Sequence, residues 1–341
     1  MRKPVILITG AAGEIGHSLI QRLSDSGRTG IVTLDLKPLD PEIARRVQHP
    51  IAGSILDRAL LESILAEYAV DTIYHLAAQL STRAEFTPVA AHEVNVNGTL
   101  NLLEFAQAQG RGHGRPVMFL YPSSIAVYGF SSVAEKHAAG RVREYQYTEP
   151  ITMYGCNKLY CEQLGRYYAR HYRQLDADAP RALVDFRAIR FPGLISAFTV
   201  PSGGTSDYAP EMIHAAAQGR EYHCFVRPDT RIPFMAMPDA VDAMLALAAA
   251  DRDRLSQTVY NIAAFNPSAE EIRALVLEAF PEASIDWQPD TKRQAIVDSW
   301  PEAVDDSKAR ADWGFAPRYG LAEAFSDYLI PNIRRRYPSG P

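Results

Sequence analysis

The chain has 341 residues, of which 47% are hydrophobic and 22% charged, with a formal charge of -5. That balance leaves no basic excess to hold a nucleic-acid backbone, and no apolar run approaches the length of a membrane span. The three cysteines, Cys156, Cys161 and Cys224, give no disulfide framework and no paired metal spacing, so no metal is expected and a reducing, cytoplasmic setting is.

Val5 to Thr9 is a short apolar run that reads as a buried parallel strand, and it is too short for a signal peptide. It runs into Gly10-Ala11-Ala12-Gly13-Glu14-Ile15-Gly16, which opens a helix with apolar spacing from Ile15 to Leu23. Glycines at this spacing let the backbone turn tightly against a pyrophosphate, and the helix N-terminus meets the negative charge. Gly30 to Leu34 is a second strand run, ended by Asp35. A carboxylate there accepts from the ribose hydroxyls of NAD and repels the 2'-phosphate of NADP. Lys37 blurs that choice, and Asp35 also suits a strand-end turn.

Leu60 to Tyr68 reads as a helix and Thr72 to Leu76 as a third strand, closing in His75-Leu76-Ala77-Ala78. Small residues there allow close passage of a cofactor, while His75 reads as a hydrogen-bonded core histidine. Val94 to Ala108 is helical in pattern, Val117 to Tyr121 a fourth strand leading to Ser123 and Ser124, and 130–149 a charged surface excursion or lid edge. A long helix follows through Lys158 to Tyr172, then a fifth strand, Val184 to Ile189. This alternation predicts an α/β fold, a Rossmann-type doubly wound parallel sheet. After Phe191 come a Ser/Thr/Gly/Pro-rich stretch, helical patterns at 209–218, 239–250 and 268–280, and strand-like runs at 221–226 and 258–262. These predict a smaller C-terminal α+β substrate lobe. The expected domains are 1–190, carrying cofactor and catalysis; 191–330, mainly the lobe with some segments returning; and a solvated tail over 331–341 with Arg334, Arg335 and Arg336.

In Thr152-Met153-Tyr154-Gly155-Cys156-Asn157-Lys158, Tyr154 and Lys158 stand one helical turn apart on one face. A free tyrosine titrates near pH 10, too high for a neutral-pH base; a nearby ammonium favours the phenolate. Ser124 ends a strand, where its hydroxyl can orient a substrate oxygen.

These motifs, with Asn95-Val96-Asn97-Gly98-Thr99 and Ser123-Ser124-Ile125-Ala126-Val127-Tyr128-Gly129, resemble the extended short-chain dehydrogenase/reductases in order and over nearly the whole chain. The resemblance implies a catalytic trio of Ser124, Tyr154 and Lys158, with Asn95 supporting the active-site helix and a proton-relay water. It places Phe191, Pro192 and Gly193 near the nicotinamide and Ser54 and Ile55 near adenine, although the family often has Asp in place of Ser54. Pro201 to Ala209, Arg293 to Pro301 and Asp305 to Gly314 further resemble short-chain L-threonine 3-dehydrogenases. On that resemblance Ser81, Thr205 and Trp300 lie around an amino acid held with Ser124 and Tyr154; Thr205 also fits a turn former and Trp300 a packing residue. The departures are the long 130–149 segment and Ser202 and Ser206, where Gly and Thr are expected.

The expected function is NAD-dependent oxidation of a secondary alcohol, with L-threonine the foremost substrate and L-2-amino-3-oxobutanoate the product. The alternatives are a nucleotide-sugar 4-epimerase, a dehydrogenase of another hydroxy acid, and a non-catalytic NAD-binding sensor or scaffold. The resemblance also implies a homodimer formed through the helices near 95–110 and 154–172.

Overall fold

Pro4–Thr9 and Val184–Phe191 are buried at most of their residues, as strands covered on both faces must be. They belong to a seven-stranded sheet in the computed structural model, which describes residues 4–175, 182–201 and 204–338. Its spatial order is Val259–Asn261, Val184–Phe191, Val117–Ser124, Ala69–His75, Pro4–Thr9, Ile31–Asp35, His49–Ala52. Pro4–Thr9 is parallel to both neighbours, with Leu7 opposite Val32 on one side and Ile73 on the other. The chain builds outward first in one direction from Pro4–Thr9 and then in the other. The resulting switch point lies at the carboxyl end of that strand, where open α/β sheets bind ligands, and the Gly10 turn follows it directly.

The chain divides into two units. The first comprises Met1–Ser123, Cys156–Ile189 and Met244–Tyr260. Leu7, Val32, Leu34, Ile73, Phe119, Phe186 and Val259 share its core. The second comprises Ser124–Gly155, Arg190–Ala243 and Asn261–Pro341. In it the Tyr208 ring meets Phe225 and Phe234 edge-on, and three short parallel ladders form. They pair Gly193–Ile195 with Phe234–Ala236, Tyr222–Cys224 with Ile285–Trp287, and Arg141–Val142 with Ala303–Val304.

Several details differ from the sequence reading. The 258–262 run is the edge strand of the large sheet, with Thr258 accepting from Ala188 N–H at 2.8 Å, so the chain returns to the first unit over 244–260. Residues 124–155 belong with the second unit instead of the first. His49–Ala52 is an added, mostly exposed strand; its proline suits an edge position. The arginine run near the C-terminus lies on a helix, Ile330–Arg336. Ile333 is buried there, Arg334 donates to Ala279 O and Arg336 to Phe198 O. Among the described residues no helix is long and apolar enough to cross a membrane.

Candidate active site

In the first unit, Gly10 takes φ +69°, a left-handed conformation that glycine adopts without strain. A Cβ on it would stand 2.4 Å from Ala77 N, and one on Gly16 2.4 Å from Ala11 O. The turn is therefore built on glycine at both ends. Gly13 caps the Glu14–Asp25 helix with no side-chain hydrogen bond to its amides, and a Cβ there would meet only Gly10 O, at 3.4 Å. That leaves room and N–H donors for an anion at the helix N-terminus, where Glu14 and Ile15 begin the helix.

Asp35 makes the contacts of a strand-end turn residue. One carboxylate oxygen accepts from Ala12 N–H at 3.0 Å and the other from Lys37 N–H at 2.8 Å. A carboxylate keeps further lone pairs for ribose hydroxyls. Leu76 N–H donates to Thr9 O at 2.9 Å, which holds Leu76, Ala77 and Ala78 beside the glycine turn. Ser54 Oγ accepts from Leu56 N–H at 3.1 Å. The Ile55 side chain is buried against Gly98, so only its main chain is available to a ligand. His75 sits between the Thr9 and Thr99 hydroxyls at 2.8 and 2.9 Å. Burial brings it down to about 3, so it is a neutral core residue.

Asn95 occupies a π-helical turn, Glu93–Asn97, just before the Gly98–His113 helix. Its side chain accepts from Gln79 N–H at 2.7 Å and donates to Gln79 O at 3.0 Å and to Asn157 Oδ1 at 3.3 Å. It thus ties the segment after Ala78 to the Met153–Arg170 helix. Lys158, buried on that helix, donates from Nζ to Pro122 O at 2.6 Å and lies 4.5 Å from the centre of the Tyr121 ring. Burial brings its ammonium down to about 8, against the pull of Cys161 and Glu162.

In the second unit, Ser124 ends its strand and accepts from Ala126 N–H at 3.1 Å. Thr152 Oγ1 accepts from Gly155 N–H at 3.0 Å, which starts the helix just before Tyr154. A Cβ on Gly155 would stand 2.1 Å from Ala126 O, so the helix's first turn rests on the turn after Ser124. This sets the start of the helix that carries Tyr154 beside the turn that follows Ser124, and Lys158 follows Tyr154 by one turn of the same helix. One expectation is corrected. In the chain alone burial raises the Tyr154 phenol above its ordinary value; no lowering by Lys158 is found.

The 130–149 segment is docked rather than free. Ser132 caps the Val133–Ala139 helix. Phe130 N–H donates to Ser299 O at 3.0 Å and buried Lys136 to Val297 O at 3.3 Å. His137 reaches Glu302 at 2.7 Å, Arg141 Asp306 at 3.1 Å and Arg143 Asp305 at 3.4 Å. The segment therefore braces the stretch that carries Trp300. Trp300 is 4% exposed, and its indole N–H has no hydrogen-bond partner among the described residues. Thr205 is buried in the turn before the Tyr208–Ala217 helix; Ser206 lies in the same turn, and Ser202 falls outside the described residues. Gly193 is needed for packing, since a Cβ would stand 2.5 Å from the Phe234 ring, and Phe191 is buried. Thr205 and Trp300 thus share a unit with Ser124 and Tyr154, while Ser81, at the start of the Ser81–Phe86 helix, lies in the other.

The sequence reading passed over Asn157, Lys136 and Arg293. Asn157 stands inside the Tyr154–Lys158 motif; the other two act through partners far along the chain. It also expected no group at metal-ligand spacing, yet Glu221, His223 and Asp286 bring ligand atoms within 4.8 Å of one another, all exposed. Cross-strand pairing of His223 with Asp286 puts them there.

The model of the NAD-dependent epimerase/dehydratase family matches residues 6–263. An uncharacterized epimerase/dehydratase of Staphylococcus haemolyticus is 35% identical over 93% of this chain and 94% of its own. Among solved structures, the holo form of a GalE-like L-threonine dehydrogenase from Cupriavidus necator is 37% identical, with a TM-score of 0.84, over 97% of this chain and all of its own. The L-threonine dehydrogenase of Clostridium difficile is 31% identical, with a TM-score of 0.86, over 99% of this chain and all of its own. The glycine turn, the open helix N-terminus and Asp35 fit the dinucleotide in the family's description.

Proposed function

The chain belongs to the NAD-dependent epimerase/dehydratase family, and with that as premise we propose that it oxidises the C3 hydroxyl of L-threonine to give L-2-amino-3-oxobutanoate. The observation that carries the reaction type is the buried Lys158, bonded to Pro122 O one helical turn after Tyr154. The substrate rests on the likeness to L-threonine dehydrogenases over nearly the whole chain.

NAD supplies the hydride acceptor. The 10–16 turn with the amides of Glu14 and Ile15 would hold its pyrophosphate, and Asp35 its adenosine ribose. Tyr154, as phenolate, takes the C3 hydroxyl proton, and Ser124 donates to the same oxygen. Because burial raises the phenol in the chain alone and Lys158 does not offset it there, the phenolate needs further positive charge, which the oxidised nicotinamide ring would add to that of Lys158. Asn95 holds the helix in register through Asn157. Thr205 and the unpartnered Trp300 indole N–H are the amino-acid contacts; a ligand acceptor would relieve a buried donor that is costly to leave alone.

A nucleotide-sugar 4-epimerase is the second reading, and it needs cations for a diphosphate. Arg190 is spent on Tyr128 OH and Glu144 O, Arg227 on Asp298, and Arg293 on Gly204 O, which favours the small amino acid. We also propose a homodimer: Tyr160 and Tyr167 lie seven residues apart on the Met153–Arg170 helix, 54% and 39% exposed, on one face.

The test is nicotinamide reduction, followed by near-ultraviolet absorbance, with NAD and L-threonine, D-threonine, L-serine, 3-hydroxybutyrate or UDP-glucose. NADH formation with L-threonine alone is expected. Signal with another alcohol moves the substrate, and no net NADH with any of them overturns the dehydrogenase reading. Sedimentation of the purified chain tests the dimer.

A further inference from the structure

The Thr291–Asp298 helix reaches Gly204, next to Thr205, and runs on to Trp300. Near its start, Arg293 donates from Nη2 to the carbonyl of Gly204, the residue before Thr205, at 2.8 Å. The same guanidinium lies over the Phe225 ring, 3.2 Å from its centre, and 4.0 Å from the Glu211 carboxylate. Asp207 accepts from Gly204 N–H at 2.6 Å. Gly204 is therefore held on both its N–H and its C=O. At the other end the helix runs into Trp300, whose backbone N–H donates to Val297 O at 3.2 Å.

The helix itself is fixed along its length. Gln294 accepts from Arg227 N–H at 2.7 Å and donates to Thr230 at 3.1 Å and to Asp298 at 2.8 Å. Arg227 grips both Asp298 oxygens at 2.9 Å. Lys136 adds its contact at Val297 O. A helix pinned in this way transmits position from one end to the other.

We propose that Arg293 is a positioning residue that fixes Thr205 relative to Trp300, and so sets amino-acid affinity without touching the substrate. The proposal rests on the reading of Thr205 and Trp300 as substrate contacts. Arginine suits the task because its planar fork stacks on an aromatic face while donating in its own plane; a lysine ammonium does not combine the two.

Two measurements on Arg293→Ala and Arg293→Lys decide it. Amide hydrogen exchange of the full chain is expected to speed up about tenfold at Thr205 and Ser206 in both variants, with the Thr291–Asp298 helix still protected. Steady-state kinetics, run with whichever alcohol the wild type oxidises, is expected to show KM for that alcohol up about tenfold, with kcat and NADH affinity within about twofold. Unchanged exchange at the 204–207 turn overturns the proposal. So does an unchanged alcohol KM, or a loss of NADH affinity as large as the rise in KM, which marks general damage. If Arg293→Ala does not fold, Arg293→Lys carries both measurements. A wild type active on an alcohol other than threonine refutes the substrate reading and leaves both measurements decisive for Arg293.

Discussion

The ammonium of Lys158 donates to the carbonyl of Pro122 at 2.6 Å. That bond fastens the helix carrying Tyr154 to the strand that ends in Ser124. It also gives a buried cation a strong acceptor. Tyr154→Phe is expected to lose about a thousandfold in kcat, and Lys158→Ala about a hundredfold. NADH affinity of Tyr154→Phe, read by fluorescence titration, should stay within about twofold. Full activity in that variant would falsify the proton-transfer role.

Gly10→Ala forces a side chain into a left-handed residue and to 2.4 Å from Ala77 N. The conformational strain alone is about 1–2 kcal/mol. NADH affinity is expected to fall about tenfold or more, measured by calorimetry. Binding as tight as in the wild type would mean that the turn is not where the dinucleotide rests.

Asp35→Ser removes the carboxylate that accepts from Ala12 N–H. NAD should bind about tenfold more weakly, the loss of a charged hydrogen bond, while NADP is rejected less. The ratio of kcat/KM for the two cofactors reads the change. A ratio that stays put would leave Asp35 as a turn residue only.

Asn95→Ala strips Gln79 of partners on both N–H and C=O. Leaving such groups unpaired costs about 1–3 kcal/mol. Urea unfolding should report that loss, and kcat should fall with it as the Asn157 contact on the catalytic helix goes. Asn95→Asp retains one acceptor and should fall between Asn95→Ala and the wild type.

Buried Lys136, brought down from 10.5 to about 8 by desolvation, makes stability depend on pH. Below pH 8 both folded and unfolded chains carry the proton, and the folded state bears the cost of burying it. Between 8 and 10.5 the unfolded chain holds more protons, so unfolding free energy rises with pH, on the order of 3 kcal/mol. Asp298 and Glu302 soften the cost, and Arg227 adds to it. Lys136→Met should melt above the wild type at neutral pH and lose its advantage as pH climbs through that window. Taking the difference between the two proteins cancels Lys158, which is lowered in the same direction. A difference independent of pH would rule out the buried charge as its source.

What the sequence made readable was local. The 10–16 turn, the Asp35 position and the Tyr154–Lys158 spacing are dictated by backbone and helix geometry within a few residues. What it hid was distant. Arg141 and Arg143 read as solvated charges, yet their partners Asp306 and Asp305 lie more than 160 residues on. Val259–Asn261 is three residues long, and nothing near it reveals that it pairs with Val184–Phe191. Arg293 sits on an unremarkable polar helix, and only folding brings it to Gly204. The π turn at Glu93–Asn97 reads from its residues as ordinary helix.

The interleaving of the two units bears on how the protein is made. Domains emerging from a ribosome commonly fold in the order of their synthesis. Here the first unit is complete only with Met244–Tyr260, and by then Ser124–Gly155 and Arg190–Ala243 of the second have already been translated. A nascent chain that stops short of residue 260 lacks the edge strand at the Val184–Phe191 side of its sheet. Unpaired strand edges of that kind attract other chains, so slow translation across 190–243 is where aggregation during biosynthesis would be greatest.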